Sequence, residues 1–247
     1  MTETAARLPS ARGVVRQVDG LLKSALLAEC LLLLALAVVT DLGLFGLVFG
    51  FMHAVGLFLV MNYAMSAACV TQLGHADAVT LTRSVLTGGV TALTVSTFGE
   101  PTGWLITLAA IALLLDKADG IVARRTNTTS TFGARFDAEA DAFLILVLSI
   151  AALPMIGPAV LLIGAMRYLF FAAGRVLPWL RGTLPTRRST KLVAALQGVA
   201  LVVIAAGVLA PSAAMALFIV SLSALLWSFG CSVAWLWQHR PTSVSAS

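Results

Sequence analysis

The chain has 247 residues, 60% of them hydrophobic and only 11% charged, with a mean hydropathy of +0.98. Those values belong to a polytopic membrane protein and exclude an ordinary soluble domain. The net charge of +5 comes from Lys and Arg scattered among short loops, with no continuous patch, which argues against a nucleic-acid partner, and three cysteines in apolar segments form no spaced disulfide framework.

Residues 1–20 are polar, carry Arg7, Arg12 and Arg16, and read as a cytoplasmic tail. Eight apolar runs follow, at 22–39, 42–70, 85–98, 104–123, 133–153, 159–176, 192–209 and 213–237. Each is read as a helix, because a chain crossing lipid must satisfy its backbone groups within the segment. The run at 85–98 is short for a span and needs neighbouring residues, including part of the segment 77–83 before it, to reach about 20. The fold class expected is therefore all-α, a polytopic membrane helix bundle.

Within the first two runs, Glu29 is the single acid of its segment and is expected to snorkel or pair, and His53 to be a hydrogen-bonded core residue. Gly46, Gly50 and Ala54, four residues apart, form a small-residue stripe that permits close helix packing. Packing inside the subunit is the favoured reading, with a homodimer interface as the alternative.

The positive-inside rule sets the orientation. Alternate loops carry Arg83; then Lys117, Arg124, Arg125 and Arg135; then Arg175, Arg181, Arg187, Arg188 and Lys191; then Arg240, while the opposite loops carry no Lys or Arg. With the N-terminus in the cytoplasm, the stretch 116–141 faces the cytoplasm too.

That stretch, DKADGIVARRTNTTSTFGARFDAEAD, holds the chemistry. On a helical period Asp116, Asp119, Gly120, Ala123 and Arg124 share an arc of about 140°, and Gly133, Asp137 and Asp141 stack on one face of the next helix. Four unpaired carboxylates at membrane depth would cost on the order of 10 kcal/mol even at the mildest scale of roughly 2.5–3.5 kcal/mol each. Arg124 and Arg135 are candidates to neutralise two of them, and divalent cations the rest. Hard oxygen ligands with no His or Cys nearby point to Mg²⁺ or Mn²⁺.

The pattern Asp116-x2-Asp119-Gly120-x2-Ala123-Arg124-x8-Gly133-x3-Asp137-x3-Asp141 resembles the signature of the CDP-alcohol phosphotransferase (CDP-alcohol phosphatidyltransferase) family of integral membrane enzymes, with all eight positions fitting in identity and spacing. The segment from Asp77 to Arg83 is similar to the lead-in before that family's first membrane helix, and Ser189 to Gln197 resembles the start of its fifth. The resemblance implies a six-helix family core at 74–237, preceded by two extra N-terminal transmembrane helices at 21–73 and followed by a cytoplasmic tail at 238–247.

The resemblance further implies that Asp116, Asp119, Asp137 and Asp141 hold two divalent cations that bridge a diphosphate, with Asp141 as general base. Asp119, Gly120, Ala123, Arg124 and Gly133 would then line the nucleotide and phosphate site, since bulk at the small residues would block the nucleotide and the planar fork of Arg124 suits phosphate. Arg167, in the middle of an apolar run, is a candidate for a phosphate or acceptor contact or for a structural pair; Lys191 is a candidate acceptor contact or a lipid-headgroup anchor.

The function expected is transfer of a phosphatidyl group from CDP-diacylglycerol to a small polar alcohol, with release of CMP, at the cytoplasmic face of a bacterial inner membrane. The alternatives are transfer of a phosphoalcohol from its CDP ester onto diacylglycerol, a divalent-cation transporter, and a non-catalytic membrane protein.

Overall fold

Long runs of Leu, Ala, Val and Ile without interior proline leave the backbone no partner in lipid except its own carbonyls, and the chain responds with helices throughout. The computed structural model describes the backbone of residues 11–67, 74–98, 100–126, 131–182 and 188–239; the side chains of 11–19, 75–76, 117–126, 131, 178, 181 and 188–191 lie outside the described set. Among the described residues the helices are α1 Ala11–Val39, α2 Leu44–Ala67, α3 His75–Thr97, α4 Gly103–Thr126, α5 Thr131–Ala151, the single turn α6 Leu153–Ile156, α7 Leu161–Val176, α8 Arg188–Ala205 and α9 Pro211–Gln238, with no strand. Proline marks the breaks: Pro154 and Pro158 interrupt the chain between α5 and α7, and Pro211 opens α9, where its missing N–H costs nothing.

The eight long helices match the eight apolar runs in order. Five contain stretches long and apolar enough to cross a membrane (Gly20–Val39, Leu44–Ala67, Asp77–Thr97, Pro158–Val176 and Pro211–Gln238), and two shorter apolar helices are Gly103–Asp116 and Leu192–Ala205. The protein is an all-α, multi-pass membrane bundle. Apolar residues face both ways: on α1 Leu27, Leu31, Leu34 and Val38 are exposed, while Leu33, Leu36 and the single acid Glu29 are buried. Lipid accepts leucine outside as readily as the interior does, so large apolar side chains can remain on the surface without penalty.

The third run is extended backwards, as its length required. The helix there begins at His75, ten residues before the apolar run at 85–98, and includes the polar lead-in. Thr80, Arg83, Ser84, Thr87, Thr91 and Thr94 are all buried along it. The hydroxyls of Ser84, Thr87 and Thr91 donate to the carbonyls of Thr80, Arg83 and Thr87, at 2.9, 2.9 and 2.8 Å, so they need no water. Arg83, which charge counting assigned to a loop, therefore sits inside a helix.

The chain divides into two compact units, Met1–Ser96 with Thr107–Asp141, and Thr97–Ile106 with Ala142–Ser247. In the first, α1 packs on α2 and both approach α3. A Cβ added at Gly46 would lie 2.6 Å from the Ala92 carbonyl oxygen, and one at Gly50 would lie 2.5 Å from a Leu33 methyl. The small-residue stripe is thus consumed by packing inside the subunit.

One turn earlier along α3, α1 and α2 present the pair Glu29 and His53, with Oε1 and Nδ1 2.6 Å apart. The pair occupies the space that a side chain at position 88 would fill, so Gly88 is required by this close approach. In the second unit α9 packs along α8, where the buried Gln197 amide donates to the Ser221 carbonyl at 2.8 Å, and along α7, where Phe170 meets Phe229 edge to face at 5.5 Å.

Removing one partner of a buried pair strands the other, so His53→Ala should lower stability by about 3 kcal/mol. The double change Glu29→Leu with His53→Leu should recover much of that loss, because no polar group is then left buried. Thermal melts of the purified protein in detergent, monitored by circular dichroism, check both.

Candidate functional site

Three helices of the first unit build the site. The apolar stretch of α4 ends at Asp116, and the first half of α5 carries Asp137 and Asp141 four residues apart, hence on one face. From α3 comes Arg83, 99% buried, with its guanidinium between them. Nη1 donates to Asp116 Oδ1 at 2.6 Å and to Asp141 Oδ1, and Nη2 donates to Asp137 Oδ1 at 2.5 Å. Nη2 also reaches the Asp137 carbonyl at 3.3 Å. One rigid fork therefore ties α3 to both acidic helices, which is the geometry for which arginine, and not lysine, is suited.

The three carboxylates each offer an oxygen within 4.8 Å of the others. At such a separation two ionised carboxylates repel by about 3.5 kcal/mol in a medium of effective dielectric about 20. Among the described side chains one guanidinium offsets a single charge, so the ionised trio keeps a negative excess. The side chains of Asp116, Asp137 and Asp141 are 31%, 39% and 42% exposed, whereas Arg83 is 1% exposed. The arginine is buried, whereas all three aspartate side chains keep part of their surface open.

Of the predicted site residues, the structure brings Asp116, Asp137 and Asp141 together. Asp119, Gly120, Ala123 and Arg124 continue α4 by one to two turns beyond Asp116, but their side chains lie outside the described set. Gly133 stands one turn before Asp137 on α5. Arg167 is on α7, in the second unit, and exposed; Lys191 is in the first turn of α8, with its side chain outside the described set.

One correction concerns positive charge. Among the described side chains the cation paired with these aspartates is Arg83, a residue not among the candidates, while Arg135 is exposed; the expected pairing of Arg124 lies outside the described side chains. The signal for Arg83 was present in the sequence as a polar stripe: Thr80, Arg83, Ser84, Thr87, Thr91 and Thr94 recur every three or four residues, the period of one helix face. Read as a loop cation, Arg83 lost that context.

Comparison with known proteins adds one match. A family model described as CDP-alcohol phosphatidyltransferase matches residues 73–230, well over half the chain and including every residue of the cluster. No curated protein and no solved structure matches the chain.

The negative excess makes a prediction about the protein freed of metal. Asp137→Asn removes one of three mutually repelling charges and leaves Arg83 two carboxylates, so in chelator this variant should melt no lower than the wild type. Differential scanning fluorimetry in detergent with EDTA checks it.

Proposed function

Because the chain belongs to the CDP-alcohol phosphatidyltransferase family, we propose that it transfers a phosphatidyl group from CDP-diacylglycerol to a small polar alcohol and releases CMP. Members of the family are phosphotransferases that act on CDP-alcohols and generally use a divalent metal. The observation that carries the reading is the convergence of Asp116, Asp137 and Asp141 in the matched segment, with oxygens within 4.8 Å of one another.

The donor set fits hard divalent cations: carboxylate oxygens, close together, over-anionic and partly open, with no thiolate or imidazole among them. In this reading Asp116, Asp137 and Asp141, with Asp119 one turn along α4, hold two ions, Mg²⁺ or Mn²⁺. Such ions, when bound, neutralise diphosphate charge and stabilise the leaving phosphate oxygen. Gly120, Ala123 and Gly133 leave room for the nucleotide beside the helices, and Arg124 holds a phosphate through its planar fork.

The acceptor hydroxyl oxygen forms a bond to the β-phosphorus of the donor as the bond from that phosphorus to the CMP oxygen breaks. Asp141 takes the hydroxyl proton, and CMP departs with the electron pair. Most of the acceleration comes from positioning donor and acceptor, since an ordinary carboxylate is a weak base. A lipid donor explains the membrane setting: its acyl chains stay in the bilayer while the nucleotide meets a water-soluble acceptor at the cytoplasmic face, where the positive-inside rule puts residues 116–141. Arg167 and Lys191 are proposed contacts for a phosphorylated acceptor.

Protein reconstituted with CDP-diacylglycerol, Mn²⁺ and a panel of alcohols should release CMP and yield one new phospholipid. Asp116→Asn and Asp137→Asn should each reduce turnover at least about 100-fold while the protein stays folded, the scale expected when a group that stabilises transferred phosphate charge is lost. EDTA should abolish CMP release and added Mn²⁺ restore it. Product formation only from a CDP-alcohol with diacylglycerol would assign the opposite use of the donor, and divalent-ion uptake into vesicles without nucleotide would assign a transporter.

A further inference from the structure

We propose that Arg83 is the resident counter-ion of the acidic cluster: it gathers Asp116, Asp137 and Asp141 while no divalent ion is bound and competes with such ions for their oxygens. The proposal rests on the reading of this cluster as a divalent-cation site. It assigns a role to a residue outside the proposed ligand set, acting on the metal through the aspartates.

Three observations support it. The guanidinium engages the Oδ1 atoms of all three aspartates, so an ion bound there must share those carboxylates with it. Arg83 approaches from the buried interior while the carboxylates are open elsewhere, so an ion can arrive without first displacing the arginine. The guanidinium stays protonated at any relevant pH, so it cannot relieve its repulsion with an incoming cation by losing a proton, as a lysine could.

The consequences are opposed. Without ions, Arg83 supplies the positive charge that keeps α4 and α5 together against carboxylate repulsion. With ions, the same charge lies within a few ångströms of a divalent cation and weakens its binding. Arg83 is thus a positioning residue that lets the site exist before metal arrives and keeps metal affinity below what the carboxylates alone would give. An arginine that merely braced the helices would have the reverse effect on affinity, because its removal would scatter the ligands.

The test uses the full chain in detergent, stripped with chelator, dialysed and titrated with Mn²⁺ while free Mn²⁺ is read by electron paramagnetic resonance. Arg83→Gln should melt below the wild type in chelator, gain more on saturation with Mn²⁺, and bind Mn²⁺ about tenfold more tightly or better. Unchanged or weaker Mn²⁺ binding by folded Arg83→Gln overturns the proposal. If Arg83→Gln does not stay folded without metal, Arg83→Lys decides in the same way. Its ammonium loses the fork and can shed its proton to an incoming cation, so tighter Mn²⁺ binding supports the proposal, and equal or weaker binding overturns it. Failure of Arg83 alone leaves wild-type Mn²⁺ binding intact, whereas absence of binding in the wild type and both variants removes the divalent-cation reading as well.

Discussion

A buried guanidinium holding three aspartates is the interaction on which the rest of the first unit depends. Neither sign of charge is cheap to bury alone: an isolated buried arginine would be left uncompensated, and three clustered carboxylates would repel one another. Bound together they form a cross-brace, Arg83 on α3 reaching Asp116 on α4 and Asp137 and Asp141 on α5. Among the described side chains three acids face one base, and that imbalance is what the proposed divalent cations would offset.

The surrounding architecture follows from the need to bring polar helices close. Along α3 the hydroxyls of Ser84, Thr87 and Thr91 return their protons to the helix's own carbonyls, so a polar face can be buried without water. Gly46, Gly50 and Gly88 remove the side chains that would hold α1, α2 and α3 apart. The Glu29 and His53 pair fills the gap at Gly88 with a polar contact between the first two helices, five residues along α3 from Arg83. The two N-terminal helices are thereby fitted closely to the helix that carries the counter-ion. They share its compact unit, although the family match begins only at residue 73.

Much of this was legible in the sequence where one physical rule dominated. Lipid forces helices, so eight apolar runs became eight long helices in the same order. Four-residue spacing fixes a helical face, so Asp137 and Asp141 were bound to act together, and Gly46, Gly50 and Ala54 were bound to form a packing stripe. The pairing of Glu29 was expected in kind, but its partner was not. His53 lies 24 residues away on a neighbouring helix, and no local rule connects the two.

By itself the sequence determined the fold class, the helix order and the family signature, because lipid imposes helical structure segment by segment and a motif is a statement about spacing along one chain. The tertiary structure decided which charges meet. It moved Arg83 from a presumed loop to the centre of the acidic cluster, extended α3 back to His75, and left Arg135 exposed. The reason is that an ion pair 33 to 58 residues apart in sequence depends on how helices are rotated and packed against one another, and hydropathy and spacing along a single segment do not encode that rotation.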